Sequence, residues 1–486
     1  MSLRSRRAAV LAAALSLLVV PVARAAAPWA DPQPLSGGYL ATWRESGGLA
    51  FSTAPAQLGF TQGGTGFAVV GRSAGGLGST RFAGSRGGFG AVTASTFRSV
   101  VPEHLATFGR SGVYLAGALA SPSAQQTANG GPLSVAVVRG NVTGDFPTRQ
   151  TLAQGYLPKK GVLADPGAAT ATALASNATG VAAVTVSIPV VGRTRVIGYR
   201  SRLFVRWRGQ SLFRRVLDYG KQTVGSSPSA LAINPTGDIL LAWDDRTSVH
   251  ARLITAGGKI ATEQRLGLGG SAYLGPSFTR IVASIDSTRR MLVAWLAQRA
   301  GSSGNAGGPG IVAASVASPG KPFGSQITLE SGLKQGDRAL ISGTAIQAAI
   351  LRDRGVVTWD GWQGSTRVVR TADLVGGRAQ GARLLSTAGV SSWLQGLAVG
   401  PRGGTVAVWS AEGQGLLAAA RAGGTSNWDG TETVAPGADT TGMTDALVAG
   451  SPVSGDTLVL ASAPVPMSGV PTPGPIPAFS IRRPGS

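Results

Sequence analysis

Leu231-Ala232-Ile233-Asn234-Pro235-Thr236-Gly237-Asp238-Ile239-Leu240-Leu241-Ala242-Trp243 is the stretch on which the fold turns. An apolar run enters a Pro-Thr-Gly-Asp reversal, whose residue types suit a tight turn, and a second apolar run leaves it and ends in Trp. The same phrase returns at Leu397–Trp409, around Gly400-Pro401-Arg402-Gly403-Gly404. Met291–Trp295 and Gly355–Trp359 repeat its ending. The four Trp residues, 243, 295, 359 and 409, are 52, 64 and 50 positions apart. Such spacing lies close to the periods of repeat architectures.

One unit reads as four short strands. Strand A is expected over Ala230–Asn234, B over Ile239–Trp243, C over Ser248–Thr255 and D over Lys259–Leu266, with turn residues between them. Strand B is apolar throughout rather than alternating, as a strand is when both its faces are covered. A radial array of sheets, each wedged between two neighbours, provides that environment. The expected fold is an all-β propeller of four-stranded antiparallel blades, seven in number with eight as the alternative. Further strand B candidates are Val113–Ala116, Val181–Val184 and Leu458–Ala461, with Phe67–Val70 as one more. Tyr39–Trp43 has no unit of its own, and the last unit lacks a strand after Ala478–Arg482. An N-terminal strand closing the last blade would remove the exposed edges. The repeated Trp residues are then packing residues between blades.

These turn-and-strand repeats resemble those of secreted TolB-like and sialidase-like bacterial propellers over most of the chain. The resemblance implies fold, not activity. The Asp-box of sialidase repeats, Ser-x-Asp-x-Gly-x-Thr-Trp, is absent, and Asn427–Thr431 holds some of its letters in another order.

The start of the chain predicts export. Arg4, Arg6 and Arg7 precede an apolar run from Ala8 to Val20, and Ala23-Arg24-Ala25 offers a cleavage site. Residues 1–25 are expected to be a signal peptide and 26–486 a single propeller domain, placed outside the cytoplasm. Sec and twin-arginine routes both remain open. The chain has no Cys, which excludes disulfide and thiolate chemistry. No later stretch is long and apolar enough for a membrane helix, so a soluble monomer is expected. Losing Arg4, Arg6, Arg7 and Arg24 lowers the formal net charge from +22 to +18. That surface favours anionic partners. Only six of the 44 basic residues are Lys, a bias also expected of GC-rich coding.

In an up-and-down blade, B–C and D–A connections share one end of the ring. Candidate ligand-binding residues at that end are Asp244, Asp245, Arg246, Tyr273, Asp360, Trp362, Trp393 and Glu412, with the Gly301–Gly310 loop beside them. Aromatic rings next to carboxylates and amides suit stacking on sugars with hydrogen bonds to hydroxyls. Polar turn residues also serve the turns themselves. A second candidate is the stretch Arg193–Arg215, with eight Arg and no acid. Period-two spacing puts Arg200, Arg202, Arg206 and Arg208 on one side of a strand. That row reads as an anion-binding stripe, or as a charged outer strand that deters edge pairing.

Catalytic motifs are missing. No G-x-S-x-G elbow, H-E-x-x-H helix or phosphate-binding P-loop occurs, and His104 and His250 are the two histidines. No catalytic residue, metal or cofactor is assigned. The expected function is non-enzymatic binding of an envelope glycan or anionic polymer through one end of the ring. A glycoside hydrolase or lyase using loop carboxylates is the alternative. Nucleic acid is not expected as a partner, because no binding motif is present.

Overall fold

A computed structural model describes residues 29–30, 33–36, 38–39, 57–72, 77–83, 88–95, 97–119, 134–155, 169–192, 196–222, 228–245, 247–268, 280–298, 310–333, 345–351, 353–436, 446–461 and 478–482. Residues 1–25, read above as an export signal, Arg246, Tyr273 and most of the Gly301–Gly310 loop lie outside them.

The described strands form antiparallel sheets set around one axis. Their innermost strands are Gln57–Phe60, Val100–Phe108, Thr170–Ser176, Ser229–Ile233, Arg280–Ile285, Ile346–Leu351, Ser392–Val399 and Ala446–Gly450. Each touches the next in this order, and the last touches the first, which closes a ring. Numbered along the chain, blades 1 to 7 are seven sheets cut from continuous chain, apart from the added piece Gly38–Tyr39 on blade 1. A composite sheet, blade 8, brings the ring to eight, the alternative count named above. Blade 1 is the one the sequence marks least clearly. Its fourth strand is split into Gly88–Phe89 and Thr93–Ala94, both paired with Leu77–Ala83.

Blade 8 joins the two ends of the chain. Ala446–Gly450, Thr457–Ala461 and Ala478–Arg482 supply three strands, and Gln33–Pro34 pairs with the last of them. The N-terminal closure is therefore present, but residues 33–34 make it. Tyr39, at the start of the stretch proposed from sequence, pairs with Gly71 of blade 1, and residues 40–43 lie outside the described residues.

Blade 4 shows how the repeat folds. Its strands are Ser229–Ile233, Ile239–Asp244, Ser248–Ile254 and Gln264–Leu268. Strand D begins five residues later than the sequence pattern predicts, because Thr255–Lys259 forms another five-residue turn. Every residue of Ile239–Asp244 is buried, as expected of a strand covered on both faces.

The A–B turns share one hydrogen-bond pattern. In Thr61–Thr65, Asn177–Val181, Asn234–Asp238, Asp286–Arg290 and Gly400–Gly404, the first N–H donates to the fifth carbonyl and the fourth N–H to the first carbonyl. The fourth residue has positive φ, which is why Gly stands at 237 (φ 97°). Blade 5 has Arg289 there instead, at φ 68°. Its guanidinium reaches back to Asp238 of blade 4, Nε to Oδ2 at 2.6 Å and Nη2 to Oδ1 at 3.2 Å. That pair holds the residue in a conformation that side chains disfavour. Asn177 and Asn141, each followed by x-Thr, use their side-chain oxygens to close turns of this type.

The repeated Trp residues pack between blades, and all four are buried. Trp243 meets Tyr219 of blade 3 with ring centroids 5.1 Å apart. Trp295 Nε1 donates to Leu268 O of blade 4 at 3.0 Å, and Trp359 Nε1 to Glu330 of blade 5. Each ring thus faces the outermost strand of the preceding blade.

Around the axis, side chains of one inner strand satisfy backbone groups of the next. Gln57 Nε2 donates to Glu103 O at 2.9 Å, and Ser284 Oγ accepts from Ile350 N–H at 3.0 Å. Gln395 Oε1 accepts from Ala446 N–H at 3.0 Å. Glu103 and Gln395 both occupy bulges in their strands, between Pro102 and His104 and between Leu394 and Gly396. A bulge re-aims a side chain, here towards the neighbouring strand.

Candidate functional site

Because the strands alternate in direction, the B–C and D–A connections gather at one end of the ring. The seam between blades 6 and 7 concentrates the predicted residues there. Arg354–Gln363 and Thr366–Val375, strands B and C of blade 6, form a hairpin with Trp362 opposite Arg367. Strand A of blade 7, Ser392–Val399, carries Trp393 near its start.

Asp360 ties the two blades together. Its Oδ1 accepts from Ala345 N–H at 2.7 Å and from Arg367 Nη2 at 2.9 Å, and its Oδ2 accepts from Leu394 N–H at 2.9 Å. Carboxylate and guanidinium are both buried. Burial pushes the Asp360 carboxyl up, against the opposing pull of Arg367 and the two N–H donors. With its partners already in place, Asp360 positions the seam rather than facing it. Sequence reasoning missed Arg367, whose only signal is its place opposite Trp362 across a two-residue turn.

The bond to Leu394 fixes the backbone beside Trp393, and Trp362 follows two residues after Asp360 on the same strand face. Glu412, in the B–C turn of blade 7, donates its N–H to Ser391 O at 2.9 Å. Trp362, Trp393 and Glu412 thereby lie at one end of the adjacent blades 6 and 7, although it is Leu394, not Trp393, that shares the strand face packed on blade 6. The two indoles are half-buried and the Glu412 side chain is exposed, unlike the sealed Trp359 and Trp409 below them. The Trp362 Nε1–H is shielded from water without a hydrogen-bond partner among the described residues. This end carries two partly open indoles, an exposed carboxylate and the exposed amides of Gln363 and Gln414, groups of the kinds that can stack on sugar rings and bond to hydroxyls.

The remaining candidates lie elsewhere. Asp244 is buried at the end of strand B of blade 4. Asp245 Oδ1 accepts from Thr247 N–H and hydroxyl at 2.9 and 2.7 Å and from Ser248 N–H at 2.8 Å. Its Oδ2 lies 3.0 Å from His250 Nε2, while His250 Nδ1 lies 2.9 Å from Glu263. Burial works against ionisation of Asp245, but Thr247, Ser248 and His250 outweigh it and hold the carboxyl below its usual range. The His250 ring stacks on Trp243 at 5.4 Å. Asp245 thus closes its own turn and anchors His250, two blades from the aromatic seam. No group of three or more potential metal ligands occurs among the described residues. No helix there is long and apolar enough to cross a membrane.

The arginine row divides. Arg206 is buried and faces blade 2, where Nη1 donates to the Tyr114 hydroxyl at 2.7 Å and to Gly180 O at 2.9 Å. It is a packing residue. Arg208 lies beyond the strand end, in an exposed turn. Arg200 and Arg202 instead approach Asp218 on strand D, Arg214–Gln222, which sequence reasoning did not include.

No protein-family model matches the chain, and no curated protein sequence matches it. Among solved structures it is similar to an ulvan lyase, a polysaccharide lyase, at 10% identity over 81% of this chain and 93% of that one, with a TM-score of 0.42. It is similar to a prolyl endopeptidase at 11% identity, TM-score 0.43, over 85% of this chain and 55% of the other. AofleA from Arthrobotrys oligospora aligns at 11% identity and TM-score 0.33, over 74% and 89%.

Proposed function

We propose that the chain is a non-enzymatic binding protein that holds a glycan at the seam between blades 6 and 7. What supports this reading is the presence of two partly open indoles and an exposed carboxylate at one end of the adjacent blades 6 and 7, which the Asp360–Leu394 hydrogen bond ties together. Trp359 and Trp409, which fill space between blades, are sealed instead. On this reading the protein is exported through residues 1–25 and acts as a monomer in the envelope space or outside it.

A hydrolase or lyase reading finds less support at this seam. Glycoside hydrolysis by a carboxyl pair requires two acids about 5–9.5 Å apart. Asp360, the acid nearest Trp362 in the chain, is engaged by Arg367 and two N–H groups.

The test is retention on a glycan array by the parent chain and by Trp362→Ala, Trp393→Ala and Glu412→Gln. Both Trp variants should keep the parent's unfolding midpoint within about 1 kcal/mol and lose retention. Parent-like retention by both Trp variants would remove the reading.

A further inference from the structure

Blade 3 carries a convergence of cations that the fold does not use up. Strands C and D, Val196–Arg206 and Arg214–Gln222, pair with Arg202 opposite Asp218. Arg215 occupies both Asp218 oxygens, through Nε to Oδ1 at 2.7 Å and through Nη2 to Oδ2. Arg200 Nη1 lies 3.6 Å from Oδ2 and Arg202 Nε lies 3.4 Å from Oδ1. Those are ion-pair separations, too long for good hydrogen bonds. The Arg202 Nε–H is shielded from water with no hydrogen-bond partner among the described residues.

Three guanidiniums therefore share one carboxylate whose two oxygens a single fork already engages. The three side chains of Arg200, Arg202 and Arg215 are 46%, 30% and 53% exposed, so a balance of two positive charges stays at the surface. An ion-pair network accounts for Arg215, because its fork matches the carboxylate. It does not account for Arg200 and Arg202, whose mutual repulsion Asp218 only partly offsets. Guanidinium forks bind oxyanions bidentately, and a pair held side by side can grip one anionic group between them.

We propose that Arg200 and Arg202, whose charge the Asp218–Arg215 pair leaves largely unspent, bind the sulfate or carboxylate groups of an acidic polysaccharide. Arg200 lies near the B–C end of strand C, the end that also carries the aromatic seam. The choice of a polysaccharide rests on reading that end as a glycan-binding face. The seam stacks on sugar rings, and the arginine pair reads charge further along the rim.

The experiment measures affinity of the full chain for heparin, polygalacturonate, neutral dextran and a DNA duplex, in 50 and 500 mM NaCl. Compared with the parent are R200A/R202A, D218N, W362A/W393A and R110A/R402A, the last pair being exposed arginines on other blades. R200A/R202A should weaken heparin or polygalacturonate binding at least about ten-fold, as loss of charge-assisted hydrogen bonds implies. Its salt dependence should flatten with it. R110A/R402A removes the same charge and should change affinity less than about two-fold, since exposed charges that touch no ligand act only through the screened general field. D218N removes the competing carboxylate and should tighten binding. Equal effects of the two arginine pairs, or DNA retained as tightly as the acidic glycans and lost in R200A/R202A, would overturn the proposal. If W362A/W393A keeps full retention while R200A/R202A loses it, the seam reading fails and the oxyanion site stands. The reverse pattern sinks this site and leaves the seam.

Discussion

Replacing Glu103 by Gln should make the ring more stable at pH 8 and leave it nearly unchanged at pH 4. Glu103 sits on the bulge of the inner strand of blade 2, where burial pushes its carboxyl up to about 7 from an ordinary value of 4.5, with the Ala171 N–H of blade 3 partly opposing. Between those values the folded chain holds a proton that the unfolded chain has released. Folding is therefore favoured most below about pH 4.5, and that contribution is lost as pH rises through about 7. At about 1.4 kcal/mol for each pH unit of displacement, the loss comes to about 3 kcal/mol. Gln carries no charge to desolvate and can still accept from Ala171 N–H, so its stability should not respond to pH through this site. The assay is urea unfolding of both proteins from pH 4 to 8, read as the difference in midpoint at unchanged m-value. Taking the difference cancels the opposite slopes contributed by carboxylates such as Asp238 and Asp245. A difference that stays constant across the range, or a variant weaker than the parent at pH 8, would refute the reasoning.

Three further outcomes are expected. Asp360→Ala strands a buried guanidinium and two N–H donors and should cost about 3–5 kcal/mol in denaturant unfolding, whereas the double variant D360L/R367M should recover only the guanidinium's share, because the Ala345 and Leu394 N–H groups still lose their acceptor. Trp359→Ala should cost about 3–5 kcal/mol and Trp362→Ala less than about 1 kcal/mol, a contrast measured by the same melts. Asp238 is opposed by burial, but Arg289, the Ala256 N–H, Asn234 and Thr236 together hold its carboxyl below the usual value. Its contribution is present above the unfolded value near 3.8 and is lost as pH falls through the lower folded one. Asp238→Ala should therefore cost about 1.5–3 kcal/mol at pH 7 and progressively less as pH falls below 3.8, as followed by acid titration of the melting midpoint.

The repeat was legible because one physical demand, a strand covered on both faces, leaves an unbroken apolar run ending in Trp. Strand B of blade 4 is expected at Ile239–Trp243 and found at Ile239–Asp244. The turn before it was legible as well, since Gly237 supplies the positive φ that the reversal requires. Arg289 hides the same turn in blade 5, because a side chain stands where Gly would announce it. Blade 1 shows only its second strand in the sequence, expected at Phe67–Val70 and found at Gly66–Arg72, because its fourth strand is two short pieces among glycines. The candidate site was half legible. Periodicity and topology put Trp362, Trp393 and Glu412 at one end, yet neither reveals that Leu394 offers Asp360 an N–H from the next blade. The arginine row shows the same limit. Period two groups Arg200, Arg202 and Arg206 correctly, but Tyr114 and Gly180, which claim Arg206, lie in distant parts of the chain.

Blade 8 has a consequence for biogenesis. Gln33–Pro34 finds its partner only in Ala478–Arg482, more than four hundred residues later. A nascent chain must keep that short segment idle until the residues up to Arg482 have been made. Fastening the circle thus waits on Ala478–Arg482, and a product cut short before that strand would be left as an open arc with two unpaired flanks.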